Sequence, residues 1–192
     1  MYDIAFQFLQ RLTPLVLLSD GKHSHRERVF EPTWLESLAL PTAGGQTKDK
    51  VTLIGAGSIQ RVAVADPEDE LHRDTRIFEN LQNQSADPLA LIAHQLGNIT
   101  RRKVACSMYL SSRDSRSFGR HDDDWLSVII QLRGAKNWTI WPHPEPAVAL
   151  TLNAGDVLVL PRGIQHDVST PCHSIHITLA LLPPDEDRVT PA

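Results

Sequence analysis

Two histidines and an aspartate are the residues whose types and spacing point to chemistry. The segment GRHDDDW puts His121 and Asp123 two residues apart, and NAGDVLVLPRGIQHDV supplies His166 farther on. On a strand, side chains two apart share a face, so His121 and Asp123 are expected to point together while Asp122 and Asp124 face away. In a jelly roll, strands distant in sequence lie together across the barrel, which would let His166 complete a three-ligand set. Two neutral imidazoles and a carboxylate occupy one face of an octahedral ion and leave three positions for a chelating cosubstrate, oxygen or water. That pattern favours Fe(II) oxygenase chemistry. The same ligands on zinc, with one open position, would serve a hydrolase. An HxD pair alone is common on surface strands and loops; its coupling to GDVLVLPRGIQH in a strand-rich chain is what singles it out.

Other candidates carry less. The acidic residues Asp122 to Asp124 lack the alternating oxygen ligands and closing glutamate of an EF-hand loop. GAGS, from Gly55 to Ser58, lacks the full GxGxxG pattern and its helix. His23, His25, His72, His94, His143 and His173 have no ligand-like context and read as surface or capping residues. His176 alternates with Ile175 and Ile177, so it is expected to face the barrel interior near the metal as a supporting or structural group. Trp125, Trp138 and Trp141 read as core aromatics, with Trp125 close enough to the ligands to wall the pocket.

The elements that must position these residues divide into two textures. Over 1–100, helices and turns dominate: an apolar docking helix (MYDIAFQFLQRLTPLVLL), the polar GKHSHRER segment, a short helix at 32–40, the loop PTAGGQTKDK, and two short strands in VTLIGAGSIQRVAV. DPLALIAHQL then carries aspartate, proline in the first turn and a helical apolar face that is expected to stop at Gly97. Over 104–182, six short apolar runs follow one another: VACSMYL, HDDDWLSVIIQL, NWTIW, AVALTL, DVLVLP and HSIHITLAL. The expected fold is mainly β, a jelly-roll barrel with N-terminal helices packed on it, in one domain over 1–192. The tail over 183–192 is polar and proline-rich and is expected to fray.

Composition narrows the function classes. With 41% hydrophobic and 22% charged residues, 192 residues suffice for one sizeable core. A formal charge of -4 gives no global basic field to attract nucleic acid or an anionic membrane surface, so neither is an expected partner. No apolar run reaches the roughly 18 residues of a membrane span. The N-terminal stretch has Asp3 before any basic residue, interruptions at Arg11 and Pro14, and no small-residue cleavage site, so a targeting segment is not expected. Two cysteines, Cys106 and Cys172, without CxxC spacing, read as free thiols in a reducing cytoplasm, the expected location.

The ordered set DPLALIAHQL, VACSMYLSSRDSRSFGRHDDDWLSVIIQLRGAKNWTIW, LNAGDVLVLPRGIQHDV and SIHITLAL resembles the JmjC-type, cupin-like 2-oxoglutarate oxygenases, in particular their ribosomal-oxygenase branch. The likeness covers roughly residues 87 to 182. It implies a double-stranded β-helix, an iron held by His121, Asp123 and His166, and 2-oxoglutarate and O2 as cosubstrates. It also implies that Lys136, 15 residues after His121, binds the distal carboxylate of 2-oxoglutarate, and that Tyr109 hydrogen-bonds the same group. Without the flanking motifs, Lys136 would read as a solvated hairpin lysine and Tyr109 as a core tyrosine. The implied reaction is hydroxylation of a C–H bond on an amino-acid side chain in a protein, a peptide or a small molecule. The sequence says nothing of oligomeric state. Family members continue past the barrel into a dimerisation region and a winged-helix-like domain, whereas this chain is expected to lack both. Three rival readings stand beside this one: a cupin metalloenzyme that uses the triad without 2-oxoglutarate, a non-catalytic metal-binding interaction module, and a zinc hydrolase.

Overall fold

A computed structural model describes residues 2–19, 21–32, 51–55, 58–62, 75–83, 88–115 and 118–184. Residues 33–40 of the short helix expected at 32–40, the PTAGGQTKDK loop, Asp87 and most of the tail lie outside them. Among the described residues, two helices, α1 (Tyr2–Leu18) and α2 (Pro88–Thr100), accompany eleven strands. The first four strands are β1 (His25–Arg28), β2 (Val51–Gly55), β3 (Ser58–Val62) and β4 (Thr75–Phe78). The rest follow α2: β5 (Val104–Ser111), β6 (Leu126–Arg133), β7 (Ala135–Trp141), β8 (Val148–Asn153), β9 (Asp156–Leu160), β10 (Gln165–Ser169) and β11 (Ser174–Leu181). Every pairing is antiparallel, in an eight-stranded sheet ordered β1-β9-β6-β11-β5-β4-β2-β3 and a three-stranded sheet ordered β10-β7-β8. This is the expected jelly-roll barrel with helices packed on it.

The central strands read as continuous apolar runs because both of their faces are covered. On β6, Val128, Ile130 and Leu132 join α1 and α2 in one core, while Ile129 joins Trp138, Ile140 and Leu152 of the small sheet in another. β9 divides the same way, Val157 and Val159 against Leu158 and Leu160. The helices supply the matching faces: Ala5, Phe8, Leu12 and Val16 from α1, and Leu89, Ile92, Ala93 and Leu96 from α2, all at helical spacing and all buried. Phe8 stacks on Phe30 with centroids 4.5 Å apart. Among the described residues, no helix is long and apolar enough to cross a membrane.

Several local expectations are corrected. HDDD is not strand: β6 begins at Leu126, and His121 makes only an isolated antiparallel bridge to His166. α2 does not stop at Gly97 but runs to Thr100, where Arg101 takes a left-handed conformation (φ 55°) and the Arg102 amide returns to the Gly97 carbonyl at 3.1 Å. A Cβ at Gly97 would stand 2.9 Å from the Arg102 carbonyl oxygen, so this glycine makes room for the cap instead of ending the helix. β1, in the segment read only as polar, pairs with the edge of β9, where Arg26 reaches the buried Asp156 carboxylate at 2.7 Å. β4 and β10 were likewise not expected as strands.

Candidate metal centre

His121 and His166 face each other because their backbones exchange both hydrogen bonds, His121 N–H to the His166 carbonyl at 3.0 Å and the reverse at 2.7 Å. A bridge of one residue pair, not a shared strand, thus brings together groups 45 residues apart, with ring centroids 4.3 Å apart. Each ring is also held by its far nitrogen. His121 Nδ1–H donates to the Gly119 carbonyl at 2.7 Å, and His166 Nδ1–H to the Ile164 carbonyl at 3.1 Å. A carbonyl only accepts, so the proton of each neutral imidazole lies on Nδ1 and the Nε2 lone pair is left for a ligand bond. Asp123 completes the group, its Oδ2 lying 4.0 Å from His166 Nε2 and accepting from Ser127 Oγ at 3.1 Å. Its carbonyl accepts from Gly163 N–H at 2.9 Å, which ties the loop before β6 to the turn before β10.

One ligand atom from each of the three side chains lies within 4.8 Å of the other two. Burial, joined by the nearby His121, lowers the basicity of the His166 imidazole, and the Ile164 carbonyl and Asp123 only partly offset this, so the ring stays neutral. Two imidazole lone pairs and a carboxylate suit a divalent first-row ion. The donor set and its outer hydrogen bonds therefore fit the metal that the sequence motif implies.

The triad opens into a cavity of about 540 Å³ between the two sheets, and Lys136 lines the same cavity. Lys136 is 2% exposed. Its Nζ donates to Ser111 Oγ at 2.8 Å, and a chain of hydroxyls continues to Thr75 (3.0 Å) and Ser115 (3.1 Å). Among the described residues no carboxylate pairs with it, and burial pulls its pKa down to about 7. An ammonium enclosed with hydroxyls but without an anion is a receptor for a carboxylate.

Tyr109 also lines the cavity and stacks on His176, rings 4.5 Å apart and 10° from parallel. Burial, and then the charges of Asp123 and Glu79, hold its phenol above the ordinary range, so it remains a hydrogen-bond donor. Trp138, expected only to pack, lies 5.6 Å from His166 in a stacked arrangement. Trp125 walls the cavity as expected, whereas Trp141 carries the Arg120 guanidinium at 4.1 Å over its ring. His94 bonds to the Gln82 carbonyl at 3.0 Å and does not line the cavity. Ser111, Ser127 and Thr75 were not singled out from sequence. Alternation on β5 places Ser111 on the face of Tyr109, but nothing local identifies Thr75.

Comparison with known proteins agrees with this geometry. The sequence profile of the JmjC domain matches residues 79–188. The bifunctional lysine-specific demethylase and histidyl-hydroxylase NO66 of Drosophila sechellia is 34% identical, over 41% of this chain and 15% of that one. The protein of the same name in Dictyostelium discoideum is 32% identical, over 40% and 19%. The matched stretch is thus less than a fifth of either relative. The solved structure of YcfD, a ribosomal oxygenase from Escherichia coli in complex with cobalt and 2-oxoglutarate, superposes with a TM-score of 0.66 at 16% identity, covering 90% of this chain and 52% of that one. That likeness is one of fold. With the profile matching more than half of the residues, over the stretch that holds the triad, Tyr109 and Lys136, the chain belongs to the JmjC domain family.

Proposed function

We propose that the chain is the catalytic core of an Fe(II)- and 2-oxoglutarate-dependent oxygenase that hydroxylates a C–H bond on an amino-acid side chain of a protein. The observation that carries this reading is the buried Lys136, without a counter-ion among the described residues, in the same cavity as His121, Asp123 and His166. When bound, iron with 2-oxoglutarate and O2 supplies the oxidising power, and 2-oxoglutarate leaves as succinate and carbon dioxide.

The protein's own residues do the positioning. His121, Asp123 and His166 offer ligands on one side only and leave the cavity side open. Lys136 provides the cation for the distal carboxylate, and the Tyr109 hydroxyl, kept protonated, donates beside it. Trp138 beside His166 and the apolar wall of Ile129 and Leu160 exclude water from the reacting end. A protein side chain is the favoured substrate because the histidyl-hydroxylase and ribosomal-oxygenase relatives act on proteins by name.

The test is an anaerobic titration of metal-free protein with Fe(II) and then 2-oxoglutarate, following the weak visible charge-transfer band of a chelated keto acid. The band is expected in the wild type, is lost with iron in His166→Ala, and is lost with iron retained in Lys136→Ala. Iron binding without a band at saturating 2-oxoglutarate would overturn the cosubstrate assignment and favour a cupin chemistry or a binding module.

A further inference from the structure

His176 is a polar residue in the cavity that the proposed chemistry leaves without a task. It lies on β11 directly opposite Tyr109 in the β5–β11 register. Alternation sends its neighbours Ile175 and Ile177 into the helix-side core and turns the imidazole inward with Thr178 and Ala180. Its Nδ1 is enclosed and has no hydrogen-bond partner among the described residues. An N–H enclosed without an acceptor costs more than an idle lone pair, so the imidazole proton belongs on Nε2. Nε2 is not sealed off as Nδ1 is, and the residue lines the cavity, so this nitrogen is the one left to face it. The stack on Tyr109 fixes the plane in which it points. Burial, with the charge of Lys136 adding to it, holds the imidazole well below its ordinary pKa, so the ring is a neutral donor with Lys136 close by.

We propose that His176 Nε2–H donates to the distal carboxylate of 2-oxoglutarate alongside Lys136, making His176 a cosubstrate-contacting residue and not a structural histidine. The proposal rests on the 2-oxoglutarate reading of the cavity. It has a physical motive beyond proximity. Because burial holds the free Lys136 near a pKa of about 7, a carboxylate must draw a proton onto it as it binds, and it gains from a second donor that stays neutral and keeps its proton across the working range. A fixed ring donor also adds direction, which a flexible ammonium lacks.

The test compares wild type and His176→Phe, which keeps an aromatic ring against Tyr109 and removes its hydrogen-bonding nitrogens. Each is loaded with Mn(II), and binding of 2-oxoglutarate and of 2-oxobutyrate is measured by calorimetry. 2-Oxobutyrate has the same chelating end and no distal carboxylate. The expected result is a Kd for 2-oxoglutarate raised about tenfold to a hundredfold in the variant, as for loss of one hydrogen bond to a charged group. Mn(II) affinity and 2-oxobutyrate affinity should be unchanged. Equal 2-oxoglutarate affinity in the two proteins, or an equal loss for both keto acids, overturns the proposal and leaves the oxygenase reading intact. Failure of wild type to bind either keto acid overturns the oxygenase reading itself, and this proposal with it. If the variant does not fold, nitrogen-15 spectra of the histidines in zinc-loaded wild type decide. An Nε2-bound proton on His176 that moves downfield with 2-oxoglutarate, and not with 2-oxobutyrate, supports the contact. A proton on Nδ1, or no movement, overturns it.

Discussion

Replacing Lys136 with methionine removes a buried ammonium and keeps a chain of similar length. In the unfolded protein this lysine titrates near its ordinary value of 10.5, and in the fold at about 7. Above 10.5 it is neutral in both states and the difference vanishes. As the pH falls from 10.5 towards 7, the unfolded chain takes up a proton that the folded chain resists, so stability is lost; below about 7 the penalty is complete. At about 1.36 kcal/mol for each factor of ten, the full penalty is on the order of 5 kcal/mol, and it falls to roughly 2 kcal/mol at pH 9. Lys136→Met is therefore expected to be more stable than wild type in the metal-free protein at pH 7, by a few kcal/mol after the lost Ser111 hydrogen bond is allowed for. The gap should shrink by about 2 kcal/mol at pH 9. Urea unfolding of both proteins at the two pH values, in chelator, reads this directly. Adding saturating 2-oxoglutarate to the metal-loaded proteins should then further stabilise wild type and not the variant. A variant less stable than wild type at pH 7, or a gap that ignores pH, would refute the claim that the lysine waits in the fold for an anion.

Proton linkage gives a second expectation. At pH 8 Lys136 is mostly neutral in the free protein, so binding a carboxylate should draw in close to one proton, seen by calorimetry in buffers of different ionisation enthalpy, and at pH 6 this uptake should fall towards zero. Ser127→Ala frees Asp123 from its 3.1 Å hydrogen bond and should weaken Fe(II) binding by about tenfold in a competition titration, with no change in secondary structure. Gly134→Ala should lower stability by at least about 2 kcal/mol in thermal or urea unfolding, because its φ is 63° and a Cβ would lie 2.0 Å from the His173 carbonyl oxygen.

Strands with both faces covered could be read directly. Each apolar run from VACSMYL to HSIHITLAL contains a strand, most plainly DVLVL, whose five residues are all buried, while AVALTL is a strand although most of its residues are exposed. β1 could not be read, since HRER has no apolar pattern and its four residues are exposed. It is a strand because the open edge of β9 offers a ladder and Asp156 offers an anion. The helix end at Arg101 was hidden for a similar reason, the glycine signal at Gly97 serving a contact made only in three dimensions. At the site, residue types and spacing named His121, Asp123 and His166, which the structure brings together, but the reason offered, a shared strand face, is not how they meet. Lys136 and Tyr109 came from resemblance, and both line the cavity. The Thr75–Ser111 hydroxyl pair joins residues 36 positions apart and has no one-dimensional signature.

The division of β5, β6, β9 and β11 into two faces has a consequence for how such a protein can change. On β11, Ile175, Ile177, Leu179 and Leu181 belong to the fold, and His176, Thr178 and Ala180 belong to the cavity. Point substitutions at the second set can reshape what the cavity accepts while the scaffold stays untouched, so new specificities are reachable one residue at a time. A single inserted or deleted residue in the strand does the opposite. It exchanges the two sets, sending an imidazole into the oily layer beneath the helices and an isoleucine against the ligand. Variation in these strands should therefore run through replacements, with length changes confined to the connecting loops.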